Sequence, residues 1–326
     1  MFTKLLKTCY FALAMMLVLV NIAEAAEAIT IAVAKQPASA LMHIAIENNY
    51  FADEQLNIKV TKHASGKRAL LDGMVNGDAD VVTAAEVPPV FRAFVADDFK
   101  IIATSNTMNN MNRVVARRDS GINKPSDIKG KRVATQNSSA VHYFLYLFML
   151  KHDMLNEDVK MSFMKADKLP NALADNKIDA FSMREPYISQ AVEKLGNNAI
   201  VFAEPGLFPQ YDVVLVNKKL NNEPEVMAKV IRALYKAQEF ARNNPVQAIN
   251  IVAKFSETSV DKIRKIWNDF TLKLELSQAF LLALESEAEW IQSSGFIANH
   301  EEPDMLHFID GSAMKLVLPE AYSIID

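Results

Sequence analysis

Three short stretches carry side chains suited to holding a small anion. Ser65-Gly66-Lys67, Ser138-Ser139 and Arg184-Glu185-Pro186 each precede a run expected to be helical. Serine hydroxyls, lysine and arginine are all hydrogen-bond donors. A helix start adds unpaired N–H groups at the positive end of its dipole, which suits a sulfonate, phosphate or carboxylate. One exposed terminus contributes only about 0.3–1 kcal/mol, so several must converge. Arg184 offers a planar fork that matches such anions, and Lys67 offers a charge-assisted hydrogen bond. Each residue also has a plainer reading. Ser138 and Ser139 can be simple N-caps, and Lys67 a solvated helix start. His142, one turn into an apolar helix, can be a packed core histidine. Glu185 can serve the helix that Pro186 opens, and Arg184 can pair with Glu185 or Glu86. Tyr143, Phe144 and Phe148 read as core.

Catalytic signatures are missing from the sequence. There is no G-x-S-x-G elbow and no G-x-G-x-x-G after the first strand. Gly130-Lys131 runs into Arg132, with no P-loop around it. The six histidines show no zinc-ligand spacing, and Cys9 is the sole cysteine. A formal net charge of −4 with no dense basic run makes nucleic acid a poor partner. No cofactor is implied.

The elements that must position these residues alternate strand and helix. Strand patterns start at Ile29, Asn57, Asp80 and Lys100, with helical patterns over 41–46, 67–75 and 88–95 between them. A second series starts at Arg113. It has strands near 132–134, 159–163, 178–182 and 201–203, and helices over 141–150, 169–174 and from Pro186. A strand at 212–216 follows. The rest reads as helix, over 223–242, 245–255, 260–270 and 277–293. Such alternation predicts α/β units, each a mostly parallel sheet covered on both faces. No flexible linker separates them, so strands themselves are expected to cross, near 107–112 and 209–211. Crossings of that kind make a hinge.

Lys4 and Lys7, the apolar run 9–20 and the small residues Ala23 and Ala25 read as a secretory signal peptide over 1–25. Its removal takes away Cys9, so the exported chain must be stabilised by its hydrophobic core alone. The domain reading is a first lobe from 26–110 and 212–326, and a second lobe from 111–211.

Further stretches carry a family resemblance. They are Ala45–Phe51 with Leu56-Asn57-Ile58, Ser65-Gly66 leading to Gly77-Asp78-Ala79-Asp80-Val81, and Asp127 to Val133. Asp179-Ala180 through Arg184-Glu185-Pro186-Tyr187, Phe308-Ile309-Asp310 and Leu318-Pro319-Glu320-Ala321 complete the set. In that order the mature chain resembles the periplasmic substrate-binding proteins of the nitrate/sulfonate/taurine ABC transporter family. The resemblance implies the type II two-lobed periplasmic-binding-protein fold with a helical C-terminal segment. It implies a monomer in the periplasm that delivers a small solute to an ABC transporter permease, without catalysis. Arg184 departs from the family, which usually has tryptophan there, and Asn137 stands where glycine is common.

In open α/β sheets ligands bind beyond the carboxyl ends of the strands. The expected ligand-binding residues are therefore Gln36, Pro37, Ser65, Gly66, Lys67, Thr83, Ala84, Ser138, Ser139, His142, Arg184, Glu185 and Tyr211. The leading expectation is a small anion such as a sulfonate or nitrate. A neutral heterocycle such as a thiamine-precursor pyrimidine, and a ligand-sensing receptor of the same fold, stand as alternatives.

Overall fold

A computed structural model describes residues 27–297 and 300–325. The expected signal peptide lies outside the described residues.

The strands in chain order are β1 (Glu27–Ala34), β2 (Leu56–His63), β3 (Val81–Ala85), β4 (Phe99–Met108), β5 (Arg113–Arg117), β6 (Arg132–Thr135) and β7 (Lys160–Phe163). Then come β8 (Ala180–Met183), β9 (Ala199–Ala203), β10 (Gln210–Asn217) and β11 (Phe270–Thr271). They form two main sheets. The six-stranded sheet has the order β11-β4-β10-β3-β1-β2, and the five-stranded sheet β7-β6-β8-β5-β9.

The same device builds both sheets. β1, β2 and β3 run parallel, as do β6, β7 and β8. The strand that arrives from the other sheet inserts antiparallel. β10 lies between β3 and β4, and β5 lies between β8 and β9. The expected mostly parallel sheets are thus mixed. Among the described residues the strands of the two sheets are linked along the chain twice, through 109–112 and 204–209.

Helices cover the sheets. Those used below are α1 (Ala40–Glu47), α2 (Val87–Ala93), α3 (Ala140–Lys151), α4 (Leu169–Ala174) and α5 (Tyr187–Leu195). The C-terminal part adds α6 (Pro224–Asn243), α7 (Pro245–Phe255), α8 (Val260–Ile266) and α9 (Gln278–Ser293). α9 starts where the Ser277 hydroxyl accepts from the Phe280 N–H, a standard N-cap. The run 260–270, expected to be one helix, stops at Ile266. A 3-10 turn at Trp267–Asp269 then delivers Phe270–Thr271 as an edge strand on β4. Sheet pairing outweighs the local helical period here.

One hydrophobic core reaches from the first sheet to one face of the second, joining Ile31, Val82, Leu215 and Leu234 to Phe144, Phe148 and Val133. A smaller core under α4 and α5 holds Leu169, Leu173, Phe181 and Ile188.

After β2, Gly66–Arg68 makes one helical turn, and Ala69–Val75 winds as a π-helix. Short π segments are uncommon and cluster at functional sites. Here a regular helix was expected. Gly66 has a steric reason to be glycine. A Cβ at this position would lie 2.5 Å from the Ala84 Cα. Gly66→Ala must push the segment off the sheet, an overpacking that costs about 1–3 kcal/mol. Chemical denaturation should show a lower midpoint with an unchanged slope. A midpoint equal to the wild type's would contradict this close packing.

Candidate functional site

The carboxyl ends of β1, β2 and β3 face those of β6 and β8 across a cleft. Where they meet is a cavity of about 20 Å³, lined among others by Gln36, Ser65, Lys67, Ser139 and Arg184. That volume admits little more than one water.

Arg184 follows β8 and points back towards the first sheet. Its guanidinium donates to the Gln210 Oε1 at 3.3 Å and, more weakly, to the Gln36 Oε1 at 3.5 Å. Neither Glu185 nor Glu86 pairs with it. Burial pulls the guanidinium down from its usual value, while Glu86, Tyr187 and Asp212 pull the other way through space. It remains a cation whose direct partners are neutral amides.

The start of α3 faces the same cavity. Ser139 occupies the N-cap position but does not cap. Its hydroxyl donates to the Gln136 carbonyl at 2.6 Å. The expected capping by Ser138 and Ser139 is therefore corrected. Ser138 has a left-handed φ of 50°, and among the described residues the Ser139 side chain leaves the first N–H groups of α3 uncapped. Such groups are open to an anion.

Lys67 stands on the opposite wall and donates to the Asn137 and Ser138 carbonyls at 3.2 and 3.3 Å. Burial lowers its pKa. Ser65 caps the turn that carries Lys67, accepting from the Arg68 N–H at 3.3 Å.

Gly66 also lines the cavity, and the remaining expected residues fall outside its wall. Glu185 is exposed, and its carboxylate accepts from the Ser189 N–H at 3.1 Å, so it serves the start of α5. Thr83 and Ala84 are 0% exposed within β3, and their neighbour Ala85 reaches the wall instead. Pro37 begins a 3-10 turn behind Gln36. His142 packs its ring against Trp290 and Phe296 with centroids 5.1 and 4.8 Å away. Burial lowers its pKa to about 4, so it is neutral. Tyr211 packs edge-on to Phe280, and its N–H donates to the Glu86 Oε2 at 3.2 Å.

Sequence reading missed Gln210, Asp212 and Glu287, and offered Glu86 only as a partner for Arg184. Asp212, on β10, accepts from the Ser39 hydroxyl at 3.2 Å and the Ser105 hydroxyl at 3.0 Å. Burial pushes it up to about 7 against those bonds and the Arg184 charge. Glu86 precedes α2, and Glu287 lies on α9; both are 0% exposed. Glu86 Oε1 and both Glu287 oxygens meet no other donor among the described residues. Burial pushes Glu86 up to about 8. Burial, and then the Glu86 charge, push Glu287 well above its usual value. A proton shared between the two carboxyls would supply the partner that each lacks. One signal did exist for Glu287: it shares the apolar face of α9 with Phe280, Leu284 and Ile291.

These groups predict a pH profile. With folded values near 8 for Glu86 and 7 for Asp212, against 4.5 and 3.8 for the free groups, the native state retains protons that the unfolded chain has lost. Stability from this source is complete at low pH and is lost as pH rises towards 8. His43 and His142, lowered from 6.5 to about 4, act in the opposite sense, but only below 6.5. Above 6.5 the two histidines no longer contribute, so the acids should lower the melting temperature between pH 6.5 and 8.5. Glu287→Gln should flatten that fall. An equal slope in both proteins would show that the pair carries no shared proton.

Comparison with known proteins places this geometry in a family. A family model described as NMT1/THI5 like matches residues 36–248. A Brucella abortus protein named only as a binding protein is 28% identical over 167 residues, 50% of this chain and 51% of its own. The chain thus spans about half the length of that relative. A taurine-binding periplasmic protein of Escherichia coli is 26% identical over 229 residues, 69% of this chain and 70% of its own. Among solved structures, the periplasmic aliphatic sulphonate binding protein of Escherichia coli matches with a TM-score of 0.74 at 17% identity, covering 87% of this chain and 97% of that one. The alkanesulfonate-binding protein of Xanthomonas axonopodis pv. citri, bound to MOPS, matches with a TM-score of 0.74 at 17% identity, covering 87% and 98%. These structures share the two-lobed periplasmic-binding fold with the present chain. With the family model spanning both crossings between the sheets, the chain belongs to the NMT1/THI5-like family.

Proposed function

We propose that this protein is the extracytoplasmic receptor of an ABC importer and captures a small organic anion, a sulfonate or a close relative, between its lobes. The lobes are 26–110 with 212–326, and 111–211. The observation that carries the reading is Arg184. It is a half-buried cation with amide partners only, beside the uncapped start of α3. Two electropositive groups that converge in a narrow cleft favour an anion. The relatives named for sulfonates and taurine support the same class.

The mechanism is capture by closure. A cavity of about 20 Å³ is too small for an organic anion, so entry requires the lobes to part. The crossings 109–112 and 204–209 are the places where the backbone can turn. Solute stabilises the closed form only through its higher affinity for that form. The permease then reads the closed face, and no bond is made or broken. Export to the periplasm is part of the same proposal and rests on the expected signal peptide over 1–25.

A second reading is a neutral nitrogen heterocycle. It is favoured by the orphaned oxygens of Glu86 and Glu287 and the aromatic rings of Tyr143 and Trp290 nearby. A protonated acid can donate to a ring nitrogen, and a carboxylate can accept from an exocyclic amine.

A thermal-shift screen of ligand-stripped protein separates the two. The panel holds ethanesulfonate, taurine, nitrate, small carboxylates and aminopyrimidines. A ligand at a hundred times its dissociation constant should add about 2.7 kcal/mol of stability. Arg184→Ala should weaken sulfonate binding about tenfold to a hundredfold, the loss of a charge-assisted hydrogen bond. Stabilisation by heterocycles alone, or equal sulfonate shifts in both proteins, would overturn the anion reading.

A further inference from the structure

Lys67 was expected to meet the solute, yet its hydrogen bonds go elsewhere. Its ammonium leaves the lobe of the first sheet and ends on two backbone carbonyls of the other lobe, those of Asn137 and Ser138, at 3.2 and 3.3 Å. Successive carbonyls of extended backbone point in opposite directions. A left-handed residue brings them to one side, and Ser138 has that conformation, with φ 50°. Few residues other than glycine adopt it without a compensating contact. Here the contact is the lysine. Its base is fixed as well, because Gly66 lies against Ala84 with no room for a side chain.

A second contact crosses between the lobes further along α3. Trp290 on α9 packs its ring against His142, Tyr143 and Tyr146, with centroids 5.1, 5.0 and 5.9 Å away. Phe296 adds a contact to His142 at 4.8 Å. The entry to α3 is thus held by Lys67 and its first two turns by Trp290. Both grips come from the same lobe, and both run directly between protein groups.

We propose that Lys67 and Trp290 form a two-point latch that holds the lobes closed in the absence of solute. Lys67 is a positioning residue that acts through the Asn137 and Ser138 carbonyls. The inference rests on the two-lobed, closing reading above, but not on the identity of the solute. A residue that pairs with an anion affects charged solutes alone, as Arg184 should. A latch residue changes the closed population itself, and therefore acts on every solute by the same factor.

The test uses the solute-free protein. Nitroxide labels on Lys177→Cys and Lys218→Cys, one on each lobe, report the interlobe distance by pulsed electron resonance. Small-angle scattering gives the overall size of the unlabelled chain. The wild type should show a population at the short, closed distance. Lys67→Met, which keeps the stem and removes the charge, should shift the closed-to-open ratio about tenfold towards open, the effect of losing a charged hydrogen bond. Trp290→Phe should shift it in the same direction, and it carries the aromatic arm of the test if Trp290→Ala does not fold. A solute-free wild type with only the long distance overturns the latch. So does a Lys67→Met distribution identical to the wild type's. Neither result depends on whether a sulfonate binds, so the latch and the anion reading fail separately.

Discussion

The constraint on which the molecule depends is the exchange of one interior strand between its two sheets. β10 enters the first sheet from the second lobe and pairs on both sides, with β3 and with β4. β5 makes the reciprocal journey and pairs with β8 and β9. A strand bonded on both flanks cannot be withdrawn without opening two ladders. The crossings are therefore anchored at both ends, and any rotation is confined to the few residues between. The same exchange sets the carboxyl ends of the parallel strands of each sheet face to face.

That arrangement concentrates charge of both signs in a small volume. Arg184 and the start of α3 provide the positive side at the cleft wall, while Asp212, Glu86 and Glu287 lie behind it. Burial decides the balance. Desolvation raises the three acids towards neutrality, so most of their negative charge is suppressed near neutral pH. An arginine has too high a pKa to be neutralised in the same way. Arg184 therefore keeps its charge at the wall while the acids behind it largely lose theirs, although the chain as a whole is acidic.

The bounds of α4 and α7 could be read almost directly, because a proline at the first turn and a helical apolar period are local signals. Arg184 was legible as a candidate from its place after a strand and before a helix. Gln210 was not, since nothing next to it in sequence says that its amide meets a guanidinium 26 positions earlier. Ser139 misled for a related reason. Its type and position announce a cap, but its hydroxyl turns to the Gln136 carbonyl instead, a choice between two local partners that the loop conformation makes.

The sequence by itself determined the α/β alternation, the two series of strands, the export signal as an expectation and the loops from which a site could be built. These follow from short-range periodicity, turn residues and helix starts, whose physics is local. Only the tertiary structure decided which loop residues meet. It carried the Lys67 ammonium to the Asn137 and Ser138 carbonyls, sent Glu185 to solvent, and buried Glu86 beside Glu287, which lies 201 positions later in the sequence. Burial and long-range contact depend on how the two sheets exchange strands, and that pairing is not encoded in any single stretch of the chain.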